Sequence, residues 1–321
     1  MLLQSIMPAA IPLLILALAL LIDIMVGEPP EKLHLTVRIG KTVSLLERRL
    51  TANNPMLKKI SGILLGLSMI TAFAASTHLI LLVAKIYLGF PTQIVISALF
   101  LKMTFAIKSM EDHALPIANA LKNGDLSKAK LFLQRIVRRN TAELDEQQTI
   151  SAAVESIAEG TVDGITSPLF YFAFFGVAGA VAFRVINTLD SMIGYKDPEH
   201  AEIGWFSARL DTFANYIPAR LTALIIVIVA LVSNQNWRNA WKILARDRGK
   251  TESLNAGWPM SAMAGLLSVQ LEKPRSYALG DQGNLLSNEH ILTALHIMKT
   301  TTAAFLILTI IPILLLTSLR A

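Results

Sequence analysis

The sequence predicts an all-α, polytopic integral membrane protein, on three observations. Hydrophobic residues make up 53% of the 321 residues and charged residues only 16%, with a mean hydropathy of +0.53, whereas soluble domains carry about a quarter charged residues. The apolar residues gather into long runs, and the basic residues between those runs alternate in density along the chain. No stretch shows the period-two alternation of a half-buried strand. Gly and Pro, at 17 and 13, are ordinary in number and exclude a collagen-like chain, while the hydrophobic content excludes disorder. With no Cys in the chain there is no disulfide framework, thiolate nucleophile, iron–sulfur cluster or Cys-ligated zinc.

The first apolar run is 9–26, interrupted only by Pro12 and Asp23. No basic stretch precedes it and no small-residue cleavage site precedes Gly27-Glu28-Pro29-Pro30, so an uncleaved span is expected rather than a signal peptide. The run 60–84 is clean, 92–107 is shorter and contains Lys102, and 168–186 holds Gly176, Gly179 and Arg184. Runs at 217–233 and 298–319 complete the set. A bilayer core takes about 20 residues of helix, so the shorter runs are expected to be tilted, broken or re-entrant, and about five or six spans are expected.

Segments 27–59, 108–167 and 234–297 each carry seven Lys or Arg, and 85–91 and 187–216 carry few. Alternation of this kind follows the positive-inside rule. It puts the three basic segments in the cytoplasm and the N-terminus outside, and makes the net charge of +6 topological rather than a nucleic-acid signal. Within 108–167, Lys122-Asn123-Gly124-Asp125 reads as helix end, turn and N-cap joining helices 114–121 and 126–138. A further helix is expected over 141–162, with Thr141 and Asp145 near its start. No repeat or low-complexity linker divides the chain, so 1–321 reads as one membrane-embedded domain. It carries a cytoplasmic helical insertion at 108–167 and a cytoplasmic loop at 234–297.

Glu155, Glu159 and Asp163 stand at i, i+4, i+8 and line one face of that helix. Like charges at this spacing repel, and no basic residue lies within one turn. A divalent cation, with Mg²⁺ the natural choice for hard oxygen ligands, or a cationic substrate would offset that repulsion. The alternative is a solvated acidic face. Asn187, Asp190 and Ser191 fall at i, i+3, i+4 beyond the fourth apolar run if its helix continues, where polar groups are functional candidates. The alternative there is an interfacial cap with Tyr195 and Trp205 as belt anchors. Arg209, Asp211, Asn215 and Arg220 form a third cluster, whose arginines suit phosphate or carboxylate. Its alternative is an Arg209–Asp211 pair with a snorkelling Arg220. Arg246, Asp247, Arg248 and Lys250, ahead of Asn255-Ala256-Gly257-Trp258-Pro259, read more simply as a positive-inside marker than as a phosphate site. No P-loop, Gly-x-Gly-x-x-Gly fingerprint or His-Glu-x-x-His is present.

Taken together these motifs resemble the CobD/CbiB family of integral membrane proteins of cobalamin synthesis, the adenosylcobinamide-phosphate synthases, nearly end to end. Asp23, Gly27-Glu28-Pro29, His34 and Gly40 resemble the N-terminal motif, and AVESIAEGTVDGITSPLFY (153–171) the acidic helix leading into the membrane. INTLDSMIGYKD (186–197), GWFSARLD (204–211) and NYIPARLTA (215–223) are close to family wording. NAGWP (255–259), AMAGLLSV (262–269), Tyr277 and Leu279-Gly280 supply the C-terminal signature. Glu28, Leu35, Gly160 and Met260 depart from the family pattern, which usually has Asp, Pro, Asn and an acid there. The polar groups lost at 160 and 260 bear on which substrate is accepted.

The resemblance implies an ATP- and Mg²⁺-dependent amide ligation, through an acyl-phosphate, of (adenosyl)cobyric acid with amino-propanol phosphate, giving (adenosyl)cobinamide phosphate. It implies Glu155, Glu159, Asp163 and Asp190 as catalytic residues, the first three holding Mg²⁺. His34, Asn187, Ser191, Arg209, Asp211, Asn215, Arg220 and Asn255 would bind substrate. The setting implied is a bacterial inner membrane, with lipid and other late corrinoid-pathway membrane enzymes as partners and no nucleic acid. The alternative is a non-catalytic, AmpE-type membrane signalling or sensing homologue, which has no need of three aligned acids. Alternation places 187–216 outside while ATP is inside. A re-entrant 168–186, broken at Gly176 or Gly179, or a motif held at depth in a cavity would reconcile the two.

Overall fold

The computed structural model describes residues 2–31, 34–50, 54–195, 197 and 200–318, so Lys196 of the 186–197 motif lies outside the described residues. The chain is helical almost throughout and divides into two compact units. One contains Met1–Ala106, Ser167–Ala214 and Leu308–Ala321, and the other Ile107–Thr166 and Asn215–Ile307.

The first unit begins with α1 (Leu2–Val26) and α2 (Leu35–Glu47), then α3 (Pro55–Val83), which continues as a π-helical turn over Ala84–Leu88. Asn54 starts α3 by accepting from the Met56 amide at 2.8 Å, with Pro55 at the first helical position, where its missing N–H costs nothing. α4 (Phe90–Lys102), α8 (Ser167–Ile193), α9 (Trp205–Ala214) and α14 (Ile311–Ser318) complete the unit. Its core repeats at helical spacing: Leu35, Ile39 and Val43 of α2, Leu65 and Met69 of α3, and Val181, Val185, Leu189 and Ile193 of α8. Four helical runs are long and apolar enough to cross a membrane: Pro55–Leu88, Phe90–Lys122, Glu146–Ile193 and Asn288–Thr317. Counting the bent pair Trp205–Ala214 and Tyr216–Val232 as one gives five. Of the apolar window in Pro55–Leu88 only 22% is buried within the protein, and Leu64, Leu79, Ile86 and Leu88 stand exposed, as lipid-facing side chains do. The chain is thus a helical, multi-pass membrane protein.

The break expected in the fourth run falls at Gly176 alone, with φ 64° and ψ −161°. Gly179 stays helical. That region of backbone space is open essentially to glycine only, and a Cβ at 176 would meet nothing within 4 Å. Gly176→Ala is therefore expected to lower stability by about 1–3 kcal/mol through backbone strain alone, read as a fall in unfolding temperature in detergent. An unchanged temperature would mean the bend is not held against its preference.

The second unit contains α5 (Ile107–Lys122), α6 (Leu126–Leu133), α7 (Glu146–Thr161) with a π-helical turn Val162–Thr166, α10 (Tyr216–Val232), α11 (Trp237–Asp247), α12 (Gly257–Leu267) and α13 (Asn288–Phe305). α13 packs on α5, α7 and α10, and α12 on α10 and α11. The Lys122–Asp125 turn forms as expected, with Gly124 at φ 72° and Asp125 accepting from the Lys128 amide at 2.9 Å. Two expected boundaries differ. α6 ends at Leu133 rather than 138, because side chains hold the following carbonyls outside a helix: Gln134 Nε2 donates to Val137 O at 3.2 Å and Ser156 Oγ to Ile136 O at 3.0 Å. α7 starts at Glu146 rather than 141. Asp145 and Gln148 form a reciprocal capping box, while Thr141 donates to Lys130 O at 3.0 Å. A short antiparallel hairpin, β1 (Leu271–Lys273) with β2 (Tyr277–Leu279), is present where the sequence showed no strand.

Candidate active-site clusters

The second unit holds the acidic segment. Glu155 is 3% exposed and fully engaged. Ser151 Oγ donates to its Oε1 at 2.7 Å, Tyr277 OH donates to Oε2 at 2.9 Å, and Arg139 forms a buried ion pair with Oε2. The repulsion expected along the stripe is thus relieved at Glu155 by an arginine 16 residues away. Burial, then the neighbouring Glu155 carboxylate, push the Tyr277 phenol well above its usual range, so it keeps its proton and serves as a donor. The Glu272 amide donates to Ser151 Oγ at 2.7 Å, fastening β1 to α7. Arg139 Nη1 is buried and has no hydrogen-bond partner among the described residues. Glu159 is exposed and Asp163 half-buried. Asp163 lies in the π-helical turn, where i→i+5 bonding widens the helix, so it does not continue the α-helical register of Glu155 and Glu159.

Among the described residues no three His, Asp or Glu side chains converge as a metal-binding group. With both its oxygens taken by protein donors, Glu155 does not fit a direct metal ligand. Glu159 and Asp163 fit the usual Mg²⁺ pattern of one or two carboxylates completed by substrate phosphates. The same turn is fastened to α10 by a hydrogen bond between the Thr166 and Thr222 hydroxyls at 2.7 Å. Two residues before Thr222 on the same helix, Arg220 donates to Asn255 Oδ1 at 3.1 Å and to Tyr216 O at 2.7 Å. Asn255 is 6% exposed and Asn215, at the start of α10, 1%.

Asp247, at the end of α11, is wholly buried. It accepts from Arg246 Nε and Nη2 at 2.7 Å, Lys250 Nζ at 2.6 Å and the Gly280 amide at 2.8 Å. Burial alone would raise its pKa. The Arg246 and Lys250 bonds and the Gly280 amide outweigh burial and hold it well below its ordinary 3.8. A carboxylate with a depressed folded pKa stabilises the fold above its unfolded value, and that stability is lost as pH falls through the folded one. Unfolding temperature is therefore expected to drop as pH is lowered below about 4, and Asp247→Asn to remove this part of the pH dependence. A variant retaining the wild-type acid profile would show that other carboxylates carry it.

In the first unit, helix α8 does continue through Asn187, Asp190 and Ser191 to Ile193. Arg184 donates through Nε to Thr104 O at 2.8 Å, just beyond α4, and also through Nη2. Its Nη1 donates to Asn187 Oδ1 and Asn187 Nδ2 to Asp211 Oδ1, each at 3.3 Å. Asn187 and Asp211 are thus brought together. Asp190 is half-buried one turn further on, and Ser191 Oγ turns back onto Thr188 O at 2.9 Å. Arg209 is exposed and makes no ion pair among the described residues, so the Arg209–Asp211 pairing does not form. His34 is elsewhere in the unit, 2.8 Å from Glu28. Lys102, 2% exposed, bridges Asp23 at 3.0 Å and Glu28 at 3.2 Å. Burial works against ionisation of Glu28, but the His34 hydrogen bond and the Lys102 charge outweigh it and lower its pKa.

Sequence reasoning missed Arg139 and the Lys102–Asp23 pair. The second was signalled: each is a lone charge in its own apolar run, and opposite charges in hydrocarbon seek each other. Arg139 had no local signal, because it reaches Glu155 from outside the helix.

The CobD/CbiB protein family profile matches residues 16–304. The chain belongs to the CobD/CbiB family. Among similar proteins is the "Probable cobalamin biosynthesis protein CobD" of Methanothermobacter thermautotrophicus, 40% identical over 91% of this chain and 94% of that protein. The like-named protein of Thermoplasma acidophilum is 39% identical over 94% and 97%. The "Cobalamin biosynthesis protein CobD" of Dehalococcoides mccartyi is 39% identical over 84% and 87%. No solved structure matches the chain. Within this CobD/CbiB chain, the polar clusters fall on motifs that carried the resemblance, 153–166, 215–223 and 255–259 in one unit and 186–211 in the other.

Proposed function

We propose that the chain is an enzyme of cobalamin biosynthesis that joins the free carboxyl of (adenosyl)cobyric acid to the amine of amino-propanol phosphate, using ATP. Family membership supports the pathway. The observation that carries the chemistry is the engaged Glu155 node with Glu159 and Asp163 beside it, on a turn fastened to the helix that bears Arg220. Mg²⁺, held by Glu159 and Asp163, would neutralise phosphate charge. In the first half-reaction the substrate carboxylate oxygen bonds to the γ-phosphorus and ADP leaves. In the second the amine nitrogen bonds to the acyl carbon, inorganic phosphate leaves, and the nitrogen gives up a proton. Activation in this way turns a poor leaving group into a good one.

The chain's own residues position and stabilise. Glu155, held by three donors, fixes α7 against β1, β2 and Arg139. The buried Nη1 of Arg139 and the Arg220 guanidinium offer donors to anionic oxygens. Asn255 orients Arg220. In the first unit, Asn187, Asp190, Ser191 and Asp211 supply amide, hydroxyl and carboxylate groups for the carboxamide fringe of a corrinoid, with Arg209 and His34 as further substrate-binding candidates there and Asn215 as one in the second unit. The setting is a cell membrane with the ATP-using face in the cytoplasm. Purified protein in detergent, supplied with cobyric acid, amino-propanol phosphate and Mg-ATP, is expected to yield the amide and ADP in equal amounts. No amide and no ADP with any amino-alcohol phosphate would overturn the ligase and leave a non-catalytic family member.

A further inference from the structure

We propose that Arg220 and Arg248, framing the single indole of Trp258, form a phosphate-binding site in the second unit. Its ligand is a phosphate monoester or the polyphosphate of a nucleotide. The inference deepens the ligase reading and rests on it for the identity of those phosphates.

Three observations carry it. The Arg220 guanidinium carbon lies 3.3 Å from the Tyr216 ring centroid and 4.6 Å from that of Trp258, and the Arg248 guanidinium carbon lies 5.2 Å from the same Trp258 ring. Two cations gathered on one ring repel, and among the described residues neither has a carboxylate within ion-pair distance. Arg220 donates to Asn255 Oδ1 and Tyr216 O, and Arg248 to Ala245 O. Acids are at hand but committed elsewhere: Asp247 and Asp281 are taken by Arg246, Lys250 and Lys242. Arg248, passed over by the acid one position away, keeps its charge for something else.

The second observation is the start of α12. Ala256 stands at its N-cap with no side-chain cap of its own, Ser253 Oγ accepts from the Asn255 and Ala256 amides just before the helix, and Trp258 in the first helical turn carries the ring on which both guanidinium groups lie. The third is Gly257. A Cβ there would run into the Arg248 carbonyl and Thr251 Oγ1, so glycine lets the segment bearing Arg248 close onto the turn bearing Trp258. Planar guanidinium groups held flat on aromatic rings lose little freedom on binding and present their forked edges to phosphate oxygens.

The test is equilibrium titration of the purified full chain in lipid-free detergent with amino-propanol phosphate and, separately, with a non-hydrolysable ATP analogue. Unphosphorylated amino-propanol is the control. Arg248→Gln is expected to weaken one of the two phosphates by about tenfold or more and to leave the control unchanged. The phosphate affected names the source. Trp258→Phe, which keeps a ring for the arginines, is expected to weaken the same phosphate by less. Wild-type affinity for both phosphates in Arg248→Gln, or no binding of either by the wild type, overturns the site. Amide formation by a wild type whose phosphate binding ignores Arg248 would leave the ligase standing without this site. Arg248-dependent binding without amide formation would leave the site standing without the ligase.

Discussion

Asp163→Asn and Glu159→Gln are each expected to slow amide formation by about 10²–10³-fold, the usual loss when one electrostatic stabiliser of a transferring group is removed. Unfolding temperature should stay within the small range typical of surface substitutions. Glu159 is exposed and Asp163 half-buried in a π-helical turn, a feature that recurs at functional sites. Neither replacement opens a cavity. Glu155→Gln is expected to behave in the opposite way. It removes the charge that Arg139 is paired with at a position only 3% exposed, and breaking a buried pair from one side costs about 3–5 kcal/mol. Its main effect is therefore loss of folded protein. Rates and unfolding temperatures measured together on the three variants separate the roles. Near-normal turnover in both Asp163→Asn and Glu159→Gln would reduce those two carboxylates to a solvated acidic face.

Lys102→Met is expected to destabilise the first unit by about 3–5 kcal/mol, because it leaves Asp23 as a buried charge without its lysine. Lys102 and Asp23 are 2% and 1% exposed and lie 3.0 Å apart. Glu28, the other partner, is 26% exposed and can be rehydrated, so the loss falls on Asp23. Replacing both, as Asp23→Leu with Lys102→Met, is expected to recover most of the stability, since a buried ion pair exchanged for apolar groups of similar size is often neutral. Unfolding in detergent by circular dichroism reads both. A single variant as stable as the wild type would show that the Lys102–Asp23 pair does not hold the fold.

Much of the fold was legible because hydrocarbon leaves long, uniform signals. The runs at 60–84 and 298–319, the glycine break in the fourth run and the Lys122–Asp125 turn were all readable from residue type. The hairpin was not: three residues per strand are too few to show alternation, and it forms because Ser151 and Glu155 bind its backbone and its tyrosine. The start of α7 was misplaced because Thr141 and Asp145 are equally good caps in sequence, and only the contact with Lys130 draws Thr141 elsewhere. At the site, residue types were readable and pairings were not. Glu155 looked like one of three equivalent acids. Its distinct role comes from Arg139 and Tyr277, 16 and 122 positions away.

The bend at Gly176 bears on how the protein is made. It leaves a piece of about seventeen residues on its C-terminal side, roughly 25 Å at 1.5 Å per residue, a little short of the ~20 residues that hold a helix across hydrocarbon by themselves. Residues 177–193 therefore lean on neighbouring helices. Much of the surface they dock against, Leu35, Ile39 and Val43 with Leu65 and Met69, is encoded upstream, while α9 and α14, which also pack on α8, follow it. By the time the ribosome delivers α8, the larger part of its berth has been synthesised, and the order of the elements along the chain doubles as an assembly schedule.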